Sequence, residues 1–212
     1  MTSARDVILE NVRRALGRDG AVPLPSTARV SPRAPGEVEG ELTLLLAEID
    51  KVGGMTRRLA DRDELNVALA GLVALEGVRK ATLWPTAELR ELGVADALAA
   101  LGVEIVPAHA DQRRLAECDL GITGVDAALP ETGTLLLRSS PEQPRLVSLL
   151  PRVHLAIFRP AALRADLQQA LADVKGDGYC VFVTGPSRTA DIELTLTIGV
   201  HGPKALHAWL LT

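Results

Sequence analysis

The sequence predicts an α/β fold: a mainly parallel open sheet with a mixed or antiparallel extension, preceded by a helical arm. Three observations lead there. Strand-like apolar runs alternate with segments of helical period between residues 55 and 106, the alternation that builds parallel sheets. From 119 to 158 extended runs follow one another across short turns, which calls for mixed or antiparallel pairing. An amphipathic segment at the start is separated from all of this by a proline-rich stretch.

Over residues 6–16, Val7, Ile8, Val12, Ala15 and Leu16 fall at helical spacing with Arg5, Glu10, Arg13 and Arg14 opposite, so a short amphipathic helix is expected. Residues 20–36 hold Pro23, Pro25, Pro32 and Pro35 among small and polar residues, a composition suited to an extended linker. The arm is thus residues 1–36 and the body 37–212. A helix over 42–52 is stopped by Gly53 and Gly54, and a strand begins at Met55. A helix over 64–75, a strand over 80–84 ending at Pro85, a helix over 95–101 and a strand over 103–106 come next. Residues 119–123 read as a buried strand, and 134–137, 146–150 and 154–158 as three more extended runs. Regular alternation then returns with a helix over 161–174, a strand over 179–183, a helix over 191–198 and a strand over 205–211.

The chain has 212 residues, 47% of them hydrophobic, enough for one substantial core plus an arm. With a net charge of -4 and both signs interspersed, no basic stripe is available for a phosphate backbone. Aromatic residues are only 2%, which removes the usual stacking platforms, so nucleic acid is not an expected partner. The first sixteen residues carry charges throughout, unlike a secretory signal, and no long uncharged apolar run predicts a membrane span. Cys118 and Cys180 are the only cysteines and lie far apart. They offer neither a disulfide framework nor four thiolates for an iron–sulfur cluster, and a reducing cytoplasm is the expected setting. The four histidines lack metal-ligand spacing, so no metal is expected. The dinucleotide glycine fingerprint, the phosphate loop and the nucleophile elbow are absent.

Three segments carry candidate chemistry. Gly121-Ile-Thr-Gly-Val-Asp126 running into Glu131-Thr-Gly-Thr134 follows the apolar end of a parallel-type strand, where open α/β sheets hold their ligand crevice. Thr123, Asp126, Thr132, Gly133 and Thr134 are candidate binding residues, with Glu131 as nucleophile or base. The same glycines also suit turns, and Asp126 or Glu131 can cap backbone. In Gly185-Pro-Ser-Arg-Thr-Ala-Asp191, Ser187, Arg188, Thr189 and Asp191 sit between a strand and a helix, where a guanidinium beside backbone amides suits a carboxylate or phosphate. Asp191 and Glu193 can also pair with Arg188 internally. In Gly199-Val-His-Gly-Pro203, His201 is a candidate acid or base because an ordinary imidazole titrates near neutrality. Loops of an open sheet converge on one edge, so Glu131, Arg188 and His201 are expected to share a pocket.

These segments, with Ser148-Leu-Leu-Pro-Arg-Val-His154 and His207 in the same order and spacing, closely resemble the lactate-utilisation protein C family between about 120 and 207. The resemblance implies a domain like the sugar-isomerase and coenzyme A transferase superfold, with helices on both faces of the sheet. It also implies a subunit that acts with two iron–sulfur partner proteins to oxidise L-lactate to pyruvate in bacteria, the clusters lying in the partners and no cofactor in this chain. It supplies no residue-level mechanism. Two readings follow: a subunit that binds a small carboxylate or a partner surface, or a stand-alone coenzyme A transferase- or isomerase-like enzyme that uses Glu131.

Overall fold

A computed structural model describes residues 3–17, 31–174, 178–189 and 197–212, and the chain divides into two compact units, Met1–Ser31 and Pro32–Thr212. The first unit holds helix α1 (Ala4–Ala15). It starts earlier than the apolar spacing suggests because Ser3 and Asp6 form a reciprocal capping box, while Arg13 and Arg14 complement the dipole of the last turn. No residue of α1 is buried.

The second unit is built on six parallel strands. Their sequence order is β1 (Met55–Leu59), β2 (Lys80–Leu83), β3 (Glu104–Val106), β4 (Leu120–Thr123), β7 (Val153–Phe158) and β11 (Ala205–Leu211). Their spatial order is β1-β11-β7-β4-β2-β3. Alternation along β7 and β11 sorts the core onto two faces. Leu155, Ile157 and Trp209 pack with α3 (Arg62–Glu76) and α5 (Val94–Ala100), whereas Ala156, Phe158, Ala208 and Leu210 pack with Leu42, Leu45 and Ile49 of α2 (Val38–Lys51). Two short helices, α4 (Ala87–Glu91) and α6 (Gln112–Ala116), are capped by Thr86 and Asp111. Helices therefore cover both faces, as the resemblance implied.

The antiparallel extension is a separate sheet of β5 (Ala127–Leu129), β6 (Thr134–Ser139) and β8 (Tyr179–Val183), with β6 in the middle. Helix α8 (Leu167–Asp173) supplies Ala170 to cover one side of it. Two short strands, β9 (Arg188–Thr189) and β10 (Thr197–Ile198), pair antiparallel.

Three expectations change. Residues 146–150 are not a strand: Leu146–Leu149 form one helical turn, α7, whose Ser148 hydroxyl donates to the Arg145 carbonyl (2.9 Å). A five-residue apolar run has no period long enough to separate the two conformations. The helix over 161–174 is broken into a 3-10 turn at Pro160–Ala162 and α8, because Leu163 is extended and the Arg164 amide donates to Ala128 in β5 (3.0 Å). Asp166 then restarts the helix by capping Gln169. Of the helix expected over 191–198, residues 191–196 lie outside the described residues and Thr197–Ile198 are strand.

The end of the proline-rich stretch is pinned to the body. The Arg33 amide donates to Asp166 (2.8 Å), and its guanidinium reaches Glu41 (2.8 Å), Glu131 (3.0 Å) and the Ala165 carbonyl (3.2 Å). Glu41 is a buried carboxylate on α2 that also accepts from the Gly36 amide (2.8 Å). The bond from Arg33 holds its pKa below the ordinary glutamate value. A lowered folded-state pKa contributes stability above the unfolded pKa, and that contribution is lost as pH falls through the folded value. Glu41→Gln is expected to lower the thermal midpoint by about 2–4 °C at pH 7, as loss of roughly 1 kcal/mol does at this size. The gap from the parent should narrow on acidification; equal gaps at pH 7 and pH 3 would contradict this account.

Candidate functional site

Two clefts flank strand β8. The first, of about 360 Å³, is lined by Ser148 of α7, His154 of β7, the segment from Val181 to Arg188, the loop His201–Pro203 and Leu206 of β11. His154 and Leu206 are each the second residue of a parallel strand and are register partners. This cleft therefore lies at the amino ends of β7 and β11, not at the carboxyl edge where the loop after Thr123 emerges. The expected convergence on one edge does not occur, because Val183 ends a strand of the small antiparallel sheet and the loop with His201 leads into β11 rather than out of a strand.

The loops of the first cleft are tied together through backbone. The Ser187 amide donates to the Pro203 carbonyl (2.9 Å), and the Gly199 amide donates to the Ser187 carbonyl (2.9 Å). A Cβ on Gly202 would come within 3.1 Å of the Ser187 Cβ, so the two loops pack closely. Ser187, Arg188 and His201 are thus brought to one cleft. Arg188 is exposed and donates one N–H to the carbonyl of Val52, just past the end of α2, where a cation also meets the negative end of the helix dipole. Thr189 is in β9, paired with Thr197, and Asp191 lies outside the described residues.

The second cleft, of about 330 Å³, holds Glu131, Thr132 and Thr134, with Asp166 and Leu167 on the far wall. Phe182 and Thr184 line both clefts. Glu131 is therefore separated from Arg188 and His201 by β8, and its half-exposed carboxylate pairs with Arg33 (3.0 Å). A row of hydroxyls forms the floor here: Thr132 to Thr134 and Thr134 to Thr184, each 2.8 Å between Oγ1 atoms.

Other candidates are held inside the fold. Thr123 is fully buried, with Oγ1 2.9 Å from Nε2 of His154. Burial pushes the His154 imidazole down to a pKa of about 4, so it is neutral at working pH. Asp126 accepts from the Arg138 amide and Nε, both at 2.8 Å. Gly133 has φ +61°, and a Cβ there would meet the Ile49 amide nitrogen at 2.6 Å; Gly185 has φ +76°, and a Cβ there would meet the Val52 carbonyl at 2.7 Å. Both motif glycines thus admit the end of α2, Gly133 at Glu48 and Ile49 and Gly185 at Val52.

The residues missed from the sequence are Ser148, His154 and Thr184. His154 and Ser148 sit inside apolar runs that read as strands, and Thr184 directly follows one. A polar residue interrupting such a run was the available signal. Among the described residues no cluster of three metal-ligating side chains occurs, and no helix is long and apolar enough to cross a membrane.

Comparison with known proteins follows the same lines. The family model described as the LUD domain matches residues 42–211. The chain is similar to lactate utilization protein C of Shouchella clausii, 32% identical over 96% of this chain and 95% of that one. Lactate utilization protein C of Halalkalibacterium halodurans is 33% identical over 66% of each. The fold is similar to the crystal structure of a DUF162 family protein from Deinococcus radiodurans, with a TM-score of 0.62 and 19% identity over 84% of this chain and all of that one.

Proposed function

The chain belongs to the LUD domain family, and from that premise we propose that it serves lactate utilisation as a cofactor-free cytoplasmic subunit of an L-lactate-oxidising system, binding a small carboxylate in the first cleft. The observation that carries this reading is the meeting of Arg188, Ser187 and His201 with Ser148 on one cleft of about 360 Å³. A guanidinium presents five donors, of which Val52 takes one among the described residues. The Ser187 hydroxyl adds a neutral donor, and the imidazole of His201 can hydrogen-bond a carboxylate or an α-hydroxyl. Neutral His154 forms part of the wall and adds no charge to attract or repel the acid.

The iron–sulfur proteins that perform the electron transfer would be separate chains. Amphipathic α1, which buries nothing within its own short unit, is the natural element for docking them. Titration calorimetry of the full chain with L-lactate and with pyruvate tests the site. Binding of one acid is expected, weakened about tenfold or more by Arg188→Gln, the loss typical of a charge-assisted hydrogen bond. No heat from either acid at millimolar concentration removes the binding reading. Capture from lactate-grown cells that returns no iron–sulfur protein removes the partner reading.

The second reading rests on Glu131. Its exposed carboxylate lines a cleft with Thr132 and Thr134, as a transferase nucleophile would require. Incubation with an acyl-coenzyme A and borohydride should then label Glu131, and an unmodified peptide spanning it rejects the transferase.

A further inference from the structure

Helix α3 buries Leu65, Ala68, Leu69 and Leu72 in the core, yet its outer side is apolar too. Between Glu64 and Glu76 it carries no charged residue. Val67 and Leu75 are 74% and 72% exposed, the two most exposed large hydrophobic residues among those described. A surface helix ordinarily turns a polar face to water, and an apolar one marks a contact. Gly71 lies midway between them, with nothing within 4 Å of the position its Cβ would take. A glycine in mid-helix weakens the helix relative to alanine, a loss that is explained if a second backbone approaches there.

We propose that α3 is the contact helix of a homodimer, in which two copies pack their α3 helices antiparallel about a two-fold axis at Gly71. Val67 and Leu75 are four residues to either side, about 6 Å along the axis in each direction. Antiparallel packing therefore brings Val67 of each copy to Leu75 of the other, the self-complementary pattern an isologous contact needs. A groove of about 400 Å³ beside Val67, lined by Leu59, Asp63 and Ala68, receives the opposing leucine.

Charge selects both the occupant and its direction. The start of α3 carries Asp61, Asp63 and Glu64 against a single cation, Arg62, whose guanidinium is turned to Gly93. Past its end, Arg79 is exposed, and Glu76 is already engaged by Arg152 (2.9 Å). Among the described residues neither the Asp63 carboxylate nor the Arg79 guanidinium has a partner. Antiparallel packing sets an acidic start beside a basic end twice over, whereas parallel packing sets like beside like.

Sedimentation velocity of the full chain over a concentration series tests this with the charge swap Asp63→Lys, Arg79→Glu and their combination. The parent is expected to dimerise. Each single variant should weaken the dimer about tenfold, and the double variant should recover most of that loss while far-UV spectra stay unchanged. Val67→Glu should leave monomer throughout the series. A parent that is monomeric at every concentration overturns the proposal. So do single variants with parental affinity, or a double variant no better than either single.

Discussion

Gly121→Ala is expected to destabilise the chain by about 3 kcal/mol or more, while Gly124→Ala, in the same short motif, stays within about 0.5 kcal/mol of the parent. The two glycines look alike in sequence. A Cβ on Gly121 would lie 1.9 Å from the Val147 carbonyl and 3.0 Å from a Pro151 ring carbon, so the single turn of α7 rests directly on the β4 backbone. Backbone atoms and a proline ring cannot swing aside as a flexible side chain does, and the methyl must push α7 off the sheet or bend β4 in the middle of the core. At Gly124 nothing lies within 4 Å of a new methyl, and lower unfolded-state entropy offsets any small strain. Urea unfolding of the two variants beside the parent decides the matter. Matching midpoints for Gly121→Ala and the parent would show that α7 does not sit where described.

The second large effect is a pH dependence centred on His154. Its imidazole is buried against Thr123 with a folded-state pKa of about 4, below the unfolded value of 6.5. Below pH 6.5 the unfolded chain therefore takes up a proton that the folded chain refuses. Stability from this residue is complete above pH 6.5 and falls steadily as pH drops towards 4. Between pH 7 and pH 5 the loss should be about 2 kcal/mol. His154→Gln can keep a partner for the Thr123 hydroxyl without a titrating ring. The variant should start less stable at pH 7 and lose about 2 kcal/mol less than the parent on going to pH 5. Parallel stability curves for the two proteins over that range would rule out His154 as the source.

Much of the parallel sheet was legible because its strands are short, apolar and bounded by strong punctuation. Pro85 closes the segment after β2, Gly53 and Gly54 stop α2, and Gly77 in the left-handed conformation ends α3. What failed was whatever depends on contacts distant in sequence. Residues 146–150 carry the same apolar signal as a strand, and only their seat on Gly121 makes them a helical turn. The strand over 179–183 was readable as a strand, but no local feature says that it pairs with β6 instead of the main sheet. That pairing is what divides the candidate residues between two clefts. The motif glycines at 133 and 185 were visible, while their task of admitting the end of α2 was not, because α2 lies more than eighty residues away in sequence. Arg188 is legible as a donor-rich residue, but its place in β9 and the donor it spends on the Val52 carbonyl at the end of α2 are not.

The position of β11 has a consequence for synthesis. The last strand sits between β1 and β7 in register with both, so β1 has no neighbour in the sheet until Ala205–Leu211 has emerged from the ribosome. Contacts between positions some 150 residues apart raise the contact order and with it the loop-closure entropy that slows folding. Until β11 arrives, Met55–Leu59 and the flank of β7 present open backbone edges, the surfaces on which chaperones act and nascent chains aggregate. Proteolytic removal of Ala205–Leu211 would take out an interior strand and leave β1 alone, cut off from the four strands β7, β4, β2 and β3.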